Sequence, residues 1–323
     1  MFYEFAVDPQ LVSLWCDREG YEGFLRLFGM DERRIPSRFP KKWETEVERS
    51  FHVAYPTPTI KQGLRKTEII TLLNKRMVKR GSKNYEAEES WLENAEREHS
   101  SRPFKGIIAT ANPRNVQSVT VLSSAEEVCK GLPKLPSSCI VARTPVELAK
   151  PVASLLRCCQ CAVFIDPYFD VSPRFLEPFE NCLKTLVDER YGSASPKVEL
   201  HTSIERCFKP SDPRDPEAET KEASIIMKRL QDKLREAIPK GLSVRVVIWK
   251  EKSRGQKLHN RYLLTDIGSV FYGTGLDCNK ELNQGQTDDI ACLSEDAHRT
   301  RWDEFVEGHA FQKVDSAVIV GIA

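Results

Sequence analysis

The chain has 323 residues, 40% hydrophobic and 29% charged, enough to bury a substantial core and to form one large or two moderate domains. Its formal net charge of +1 gives no global attraction to nucleic acid or to an anionic membrane surface. No apolar run approaches the ~18 residues a membrane-crossing helix needs, and the start of the chain carries Glu4 and Asp8 without a basic leader, so a cytoplasmic protein with no stable membrane association is expected.

Asp8-Pro9 reads as an N-cap with proline at the first helical position and predicts a helix over 10–16. Segments 41–51 and 61–83 read as helical, and 86–98 is acidic, with Trp91, Leu92 and Ala95 as a short apolar stripe. Two β-like runs, 106–110 and 116–122, precede a proline-bearing stretch at 131–138, where the organisation changes. The expectation is a mainly helical N-terminal region over 1–135 and a second domain over 136–323. Between 61 and 83, Lys61, Arg65, Lys66, Lys75, Arg76, Lys79, Arg80 and Lys83 stand against one acid, Glu68. That run reads equally as a contact for a nucleic-acid backbone and as a solvated helix face balanced by the acids that follow.

Beyond 136 strand and helix signals alternate. The strands expected are 139–142, 163–168, 198–202, 244–249, 262–265, 270–273 and 290–293, with Gly268 and Ser269 as a turn. Helices are expected over 174–191 and 222–238, the second placing Ile226, Leu230, Leu234 and Ile238 on one face, with a proline-rich loop at 209–221 between them. Such alternation predicts an α/β domain in layers, a mixed sheet flanked by helices. Ten cysteines are scattered without a framework spacing, so free thiols are expected; Cys158 and Cys161 form a lone C-x2-C that reads as a buried helix-to-strand junction, not a zinc knuckle.

The most informative stretch is 259–277. It sets His259, Arg261 and Asp266 at the spacing H-x-R-x4-D, follows after six residues with Gly273 and Thr274, and closes on Asp277. In an extended chain, residues two apart share a side, so His259 and Arg261 face one pocket. A phosphodiester under attack needs a group that works near neutral pH and a cation against the charge growing on its equatorial oxygens. Imidazole meets the first need and a guanidinium fork the second.

The run resembles the phospholipase D superfamily signature, H-x-K-x4-D-x6-G-S-x-x-N, with every spacing kept; Arg261 stands in place of Lys, Thr274 of Ser and Asp277 of Asn. The resemblance extends to 163–169, whose Asp166 ends a core strand bordering the pocket, and so covers 139–323. It implies a phospholipase D-like layered domain and a phosphodiesterase that uses no metal or cofactor. By that resemblance His259, Arg261 and Asp266 are the catalytic motif, with His259 forming a phosphohistidine and Arg261 binding phosphate, while Asp266 also suits bracing the local fold. Thr274, Asp277 and Asp166 then line the substrate, and Asp288 or Asp289 is the carboxylate that orients a histidine.

One such motif is present, while the family's chemistry uses two histidines. His52, His99, His201, His298 and His309 lack the cation and acid at the required spacing, so the expectation is a homodimer that shares one site across a two-fold axis. Nucleic acid is the first choice of substrate, because nothing reads as a membrane-seeking amphipathic helix, and a role in defence against foreign DNA suits such a nuclease. The competing reading is a phospholipase D-like domain without catalysis, a subunit that binds nucleic acid, lipid or protein partners in a larger assembly.

Overall fold

The computed structural model describes residues 1–17, 21–81, 85–122, 132, 134–188, 190, 195–208, 215–278 and 285–322. The chain divides into two compact units, one built mainly from Phe2–Leu135 and the other mainly from Pro136–Arg190 with Ala194–Ala323.

In the first unit the helices hold more residues than the strands, yet the organising element is a sheet, which the expectation of a mainly helical region did not include. The order along the chain is β1 (Tyr3–Val7), α1 (Gln10–Cys16), α2 (Tyr21–Leu25), β2 (Arg34–Arg38), α3 (Trp43–Ala54), α4 (Ile60–Arg76), β3 (Val78–Lys79), α5 (Trp91–Ser101), β4 (Gly106–Ala109) and β5 (Val119–Val121). The five strands pair in parallel in the order β3-β2-β1-β4-β5. Strands covered on both faces lose the alternation that betrays a strand in sequence: β1 buries four of its five residues, Glu4 among them, and β2 carries Pro36. α4 is opened by a reciprocal cap between Thr59 and Gln62 and ends at Arg76, because Met77 turns extended and delivers Val78 to the sheet. The helix expected over 61–83 is therefore shorter, and Lys83 lies outside the described residues.

Several cations of that run are committed to the fold. Lys66 pairs with Glu48 at 2.7 Å, and Arg76 donates to the carbonyls of Leu25 and Phe28 at 2.9 and 2.8 Å. Arg80 is fully enclosed, with Glu4 at 2.5 Å, Glu98 at 2.8 Å and the Arg102 carbonyl as partners. Burial opposes its charge, but the two carboxylates outweigh burial and hold the guanidinium above its ordinary pKa. Removing Arg80 takes the cation away from Glu4 in a dry site and leaves Glu98 with Arg102 alone, so Arg80→Ala is expected to lower stability by about 3–5 kcal/mol. Urea unfolding of the purified chain checks this, and a loss below about 1 kcal/mol, the worth of a surface pair, would mean the cluster is solvated.

The second unit is a layered α/β fold with a mixed sheet, as its alternating signals predict. It runs β6 (Ser138–Ala142), α6 (Pro145–Ala149), α7 (Ala153–Cys158), β7 (Cys161–Ile165), α8 (Pro173–Asp188), β8 (Lys197–Ser203), α9 (Pro216–Ala237), β9 (Ser243–Lys250), β10 (Arg261–Thr265), β11 (Gly268–Tyr272), β12 (Thr287–Cys292), α10 (Glu295–Phe305) and β13 (Gln312–Val320). The sheet order is β13-β9-β8-β7-β10-β11-β12-β6, with β7, β8 and β9 parallel and the remaining pairs antiparallel. Alternation along β7 sends Val163 and Ile165 into a cluster with Trp249, Phe305 and Phe311, while Phe164 meets Phe179 of α8 at 5.0 Å. Helices thus cover both faces, and each enclosed apolar side chain contributes roughly 1.5–3 kcal/mol.

Three local features depart from the sequence expectation. Asp215 caps the amide of Glu217 and Pro216 occupies the first turn, so α9 starts six residues before the expected 222. Gly268 and Ser269 belong to β11, and Asp266-Ile267 makes the tight turn from β10. β13 was not foreseen: it is an edge strand whose Val318 and Val320 stay exposed, so no buried face marks it in sequence. The C-x2-C falls where α7 gives way to β7, and Cys158, Cys159 and Cys161 are free thiols. Cys129 and residues 209–214 lie outside the described residues.

Candidate active site

The register of β10 against β7 builds the centre of the site. Tyr262 lies opposite Ile165 and Leu263 opposite Phe164, so one step further Arg261 falls beside Asp166 at the end of β7. The Arg261 guanidinium lies 4.5 Å from the ring centroid of Tyr168, and its Nη1 donates to the Gly273 carbonyl at 3.3 Å. Asp166 is 3% exposed and accepts the Tyr168 amide at 2.9 Å. Burial pushes its pKa up to about 6 and Asp277 adds to the rise, against the pull of the Tyr168 and Leu276 amides and of Arg261. Gly275, at φ +84°, closes over this pair; a Cβ there would overlap Asp166 Oδ2 and stand 3.0 Å from Arg261 Cγ, so only glycine fits.

His259 sits two residues before Arg261, exposed, in the segment that leads into β10. It borders a pocket of ≈ 420 Å³ together with Tyr168, Ser203, Arg206, Glu251 and Lys257. The segment is pinned by Glu251, whose carboxylate accepts the Leu258 amide at 2.9 Å and pairs with Lys257 at 2.7 Å, while the Glu251 amide donates to Glu205 at 2.8 Å. Leu258 anchors it in the cluster around Phe305. No hydrogen bond holds the His259 ring among the described residues, and no second histidine lines the pocket there. An imidazole that is exposed and unengaged, on a held main chain, is free to meet a phosphorus atom or a proton.

The Gly273–Asp277 loop is fixed from the other side. Asp288, 3% exposed, accepts the amides of Thr274 at 2.9 Å and Asp289 at 3.0 Å, and burial raises its pKa. A Cβ at Gly273 would stand 2.7 Å from Asp288 Oδ1. Asp277 is clamped by two arginines: Arg174 Nε reaches Oδ1 at 2.6 Å and its Nη2 also contacts Oδ2, while Arg143 reaches Oδ2 at 3.0 Å and the Asp277 carbonyl at 2.9 Å. Asp277 is therefore a charge-compensated anchor of the loop.

Thus Arg261, Asp166 and the loop carrying Thr274 and Asp277 come together, and Tyr168 joins them to the His259 pocket. Asp266 and the Asp289 side chain do not join them. Asp266 stands at the opposite end of β10 from Arg261, where it accepts the amides of Gln160 and Cys161 at 2.8 and 3.0 Å and braces the start of β7. Alternation along β12 leaves Asp289 exposed, and only its carbonyl, which accepts the Gly273 amide at 3.0 Å, serves the loop. Asp288 faces Thr274, and no described contact links either acid to a histidine. The other histidines of this unit are engaged elsewhere. His201 is enclosed 2.8 Å from Glu199, a carboxylate that burial raises but that His201 and Lys197 pull down to about 2. His298 lies 2.6 Å from Ser269 Oγ, and His309 pairs with Asp303 at 2.8 Å.

Sequence reasoning missed Tyr168, Arg206, Glu251, Arg143 and Arg174. Tyr168, in the strand-end run with Asp166, could have been found by asking which aromatic covers the arginine. The two arginines lie more than 100 residues from Asp277 along the chain and carry no spacing signal. Among the described residues no group of three His, Cys, Asp or Glu side chains could hold a metal ion, and no helix is long and apolar enough to cross a membrane.

No family model matches the chain, and no curated protein matches it. Among solved structures it is similar to the crystal structure of a phospholipase D family member, Nuc from Salmonella typhimurium, at 9% identity and a TM-score of 0.31, over 55% of this chain and 98% of that one.

Asp166 gives the site a pH signature. Its folded pKa of about 6 exceeds the ordinary 3.8, so the folded state holds the proton more tightly and ionisation works against folding. That penalty is absent below 3.8 and complete above about 6, where it reaches about 3 kcal/mol at 1.36 kcal/mol per pH unit. Asp166→Asn should therefore gain on the wild type by about this amount between pH 4 and pH 7 in urea unfolding. A difference that stays constant across the window would show that the carboxyl titrates as it does in water.

Proposed function

We propose that the second unit is a phosphodiesterase of the phospholipase D type, a metal-independent nuclease that works through a phosphohistidine at His259. The observation that carries this reading is the exposed, unengaged His259 imidazole bordering a pocket, two residues from an arginine whose fork is met mainly by a ring face and a main-chain carbonyl. A ring nitrogen of His259 attacks phosphorus, the bond to the leaving oxygen breaks, and that oxygen takes a proton from a second, protonated histidine. Water then cleaves the phosphorus–nitrogen bond, and its proton goes back to the second histidine. Arg261 opposes the charge that grows on the non-bridging oxygens in the transition state. Asp277 does not hinder an anionic substrate, because Arg143 and Arg174 already compensate it.

The second histidine is the His259 of a second copy, brought in by a two-fold axis. Support for this is the pocket's single histidine among its described lining residues. The binding-only reading draws on the same single histidine and on the three departures at Arg261, Thr274 and Asp277.

His259→Ala should abolish cleavage of DNA, RNA or a bis-aryl phosphate in EDTA while the unfolding midpoint and solution mass stay those of the wild type. Unchanged turnover by the variant would sink the assignment, and an active monomer would remove the shared site. A wild type that shifts nucleic acid without cleaving it, and loses the shift in Arg261→Ala, would establish the binding reading.

A further inference from the structure

The first unit carries a cavity that the phosphodiesterase reading leaves unused. From β1 the chain builds β2 and β3 on one side and then returns to add β4 on the other. Connections therefore leave the carboxyl ends of β1 and β4 in opposite directions, and in open parallel sheets that divergence leaves the crevice in which ligands bind. Asp8 ties these two ends together: its carboxylate, 5% exposed, accepts the Gln10 amide at 2.9 Å and the Thr110 amide and hydroxyl at 3.2 and 3.0 Å.

A pocket of ≈ 540 Å³ opens beside that knot, between α1 and the second half of α3. Its volume lies within the roughly 300–1,000 Å³ of small-molecule sites. Gln10 and Thr110 stand at its sheet end, their side chains 3.1 Å apart. Ser13, 5% exposed, lines the wall with its hydroxyl enclosed behind the pocket surface. Leu14, Val53 and Tyr55 supply apolar surface, and the Tyr55 ring is fixed by its hydroxyl, which donates to the Ser13 carbonyl at 3.1 Å. Arg49 is the single charged group among the described lining residues, and its exposed side chain pairs with Glu46 at 2.8 Å. Such a pair is weak and readily exchanged for a better anion.

We propose that this pocket binds a small organic anion of nucleoside monophosphate type, its ring against Leu14, Val53 and Tyr55 and its phosphate on Arg49. A planar ring suits the apolar wall, the guanidinium fork matches two phosphate oxygens, and Gln10 and Thr110 offer amide and hydroxyl partners to the sugar and base edges.

Calorimetric titration of the whole chain with AMP, GMP, CMP and UMP, and with adenosine and inorganic phosphate, tests this. At least one monophosphate should saturate with a Kd below about 1 mM, tighter than phosphate or the nucleoside alone. Arg49→Ala should weaken it about tenfold or more, the worth of one charge-assisted pair, and Val53→Trp, at a side chain 79% exposed, should block it without moving the unfolding midpoint. Repeating the titration in Arg261→Ala separates this site from the His259 pocket. No saturation by any monophosphate, phosphate alone binding as tightly, or binding lost in Arg261→Ala and kept in Arg49→Ala would each overturn the proposal.

Discussion

The candidate site depends on the antiparallel pairing of β10 with β7. Each strand buries one face under α10 and the other toward α8, so the side-chain period of two fixes which residues reach which layer. A slip of one residue would drive Arg261 into the aromatic cluster around Phe305 and push Tyr262 toward Asp166. Apolar packing on both faces thus specifies the position of a charged group that itself contributes little to packing. Rigid strands suit the role proposed for Arg261, since a group that is to oppose charge in a transition state has to be in place beforehand.

Around that register the charges are arranged in pairs with differing degrees of compensation. Asp277 has two arginines and serves as an anchor. Asp166 has one arginine at its side and lies so deep that burial dominates, leaving it near neutrality at mildly acid pH. Asp288 gives one oxygen, Oδ1, to two main-chain amides. Three acids within one loop's reach therefore act differently, and what separates them is the number of donors and the depth of burial. His259 stands outside this network on a segment held by Glu251 and Leu258, free at its ring and fixed at its backbone.

The first unit follows another logic. Its parallel strands need crossovers, and these place more of the unit's residues in helices than in strands while the sheet sets the order. The buried cluster of Arg80, Glu4 and Glu98 shows how a basic run that looks like a surface for nucleic acid can be partly a core device. The parallel sheet whose β1 and β2 escaped a reading by periodicity also produces the crevice beside Asp8, because a chain that reverses its direction of winding cannot cover both ends of its sheet equally.

Much of the second unit was legible in the chain itself. Alternating strand and helix signals stated its layered class, and the spacing from His259 to Asp277 singled out the stretch proposed to handle a phosphodiester, since both are properties of neighbours along the chain. Long-range pairing decided the rest. Only the folded register set Arg261 beside Asp166, sent Asp266 to the opposite end of its strand, exposed Asp289 while burying Asp288, and brought Arg143 and Arg174 onto Asp277 from more than 100 residues away. The reason is physical: local spacing sets which side a residue faces, whereas the partner it meets there depends on which distant strand or helix is packed against it.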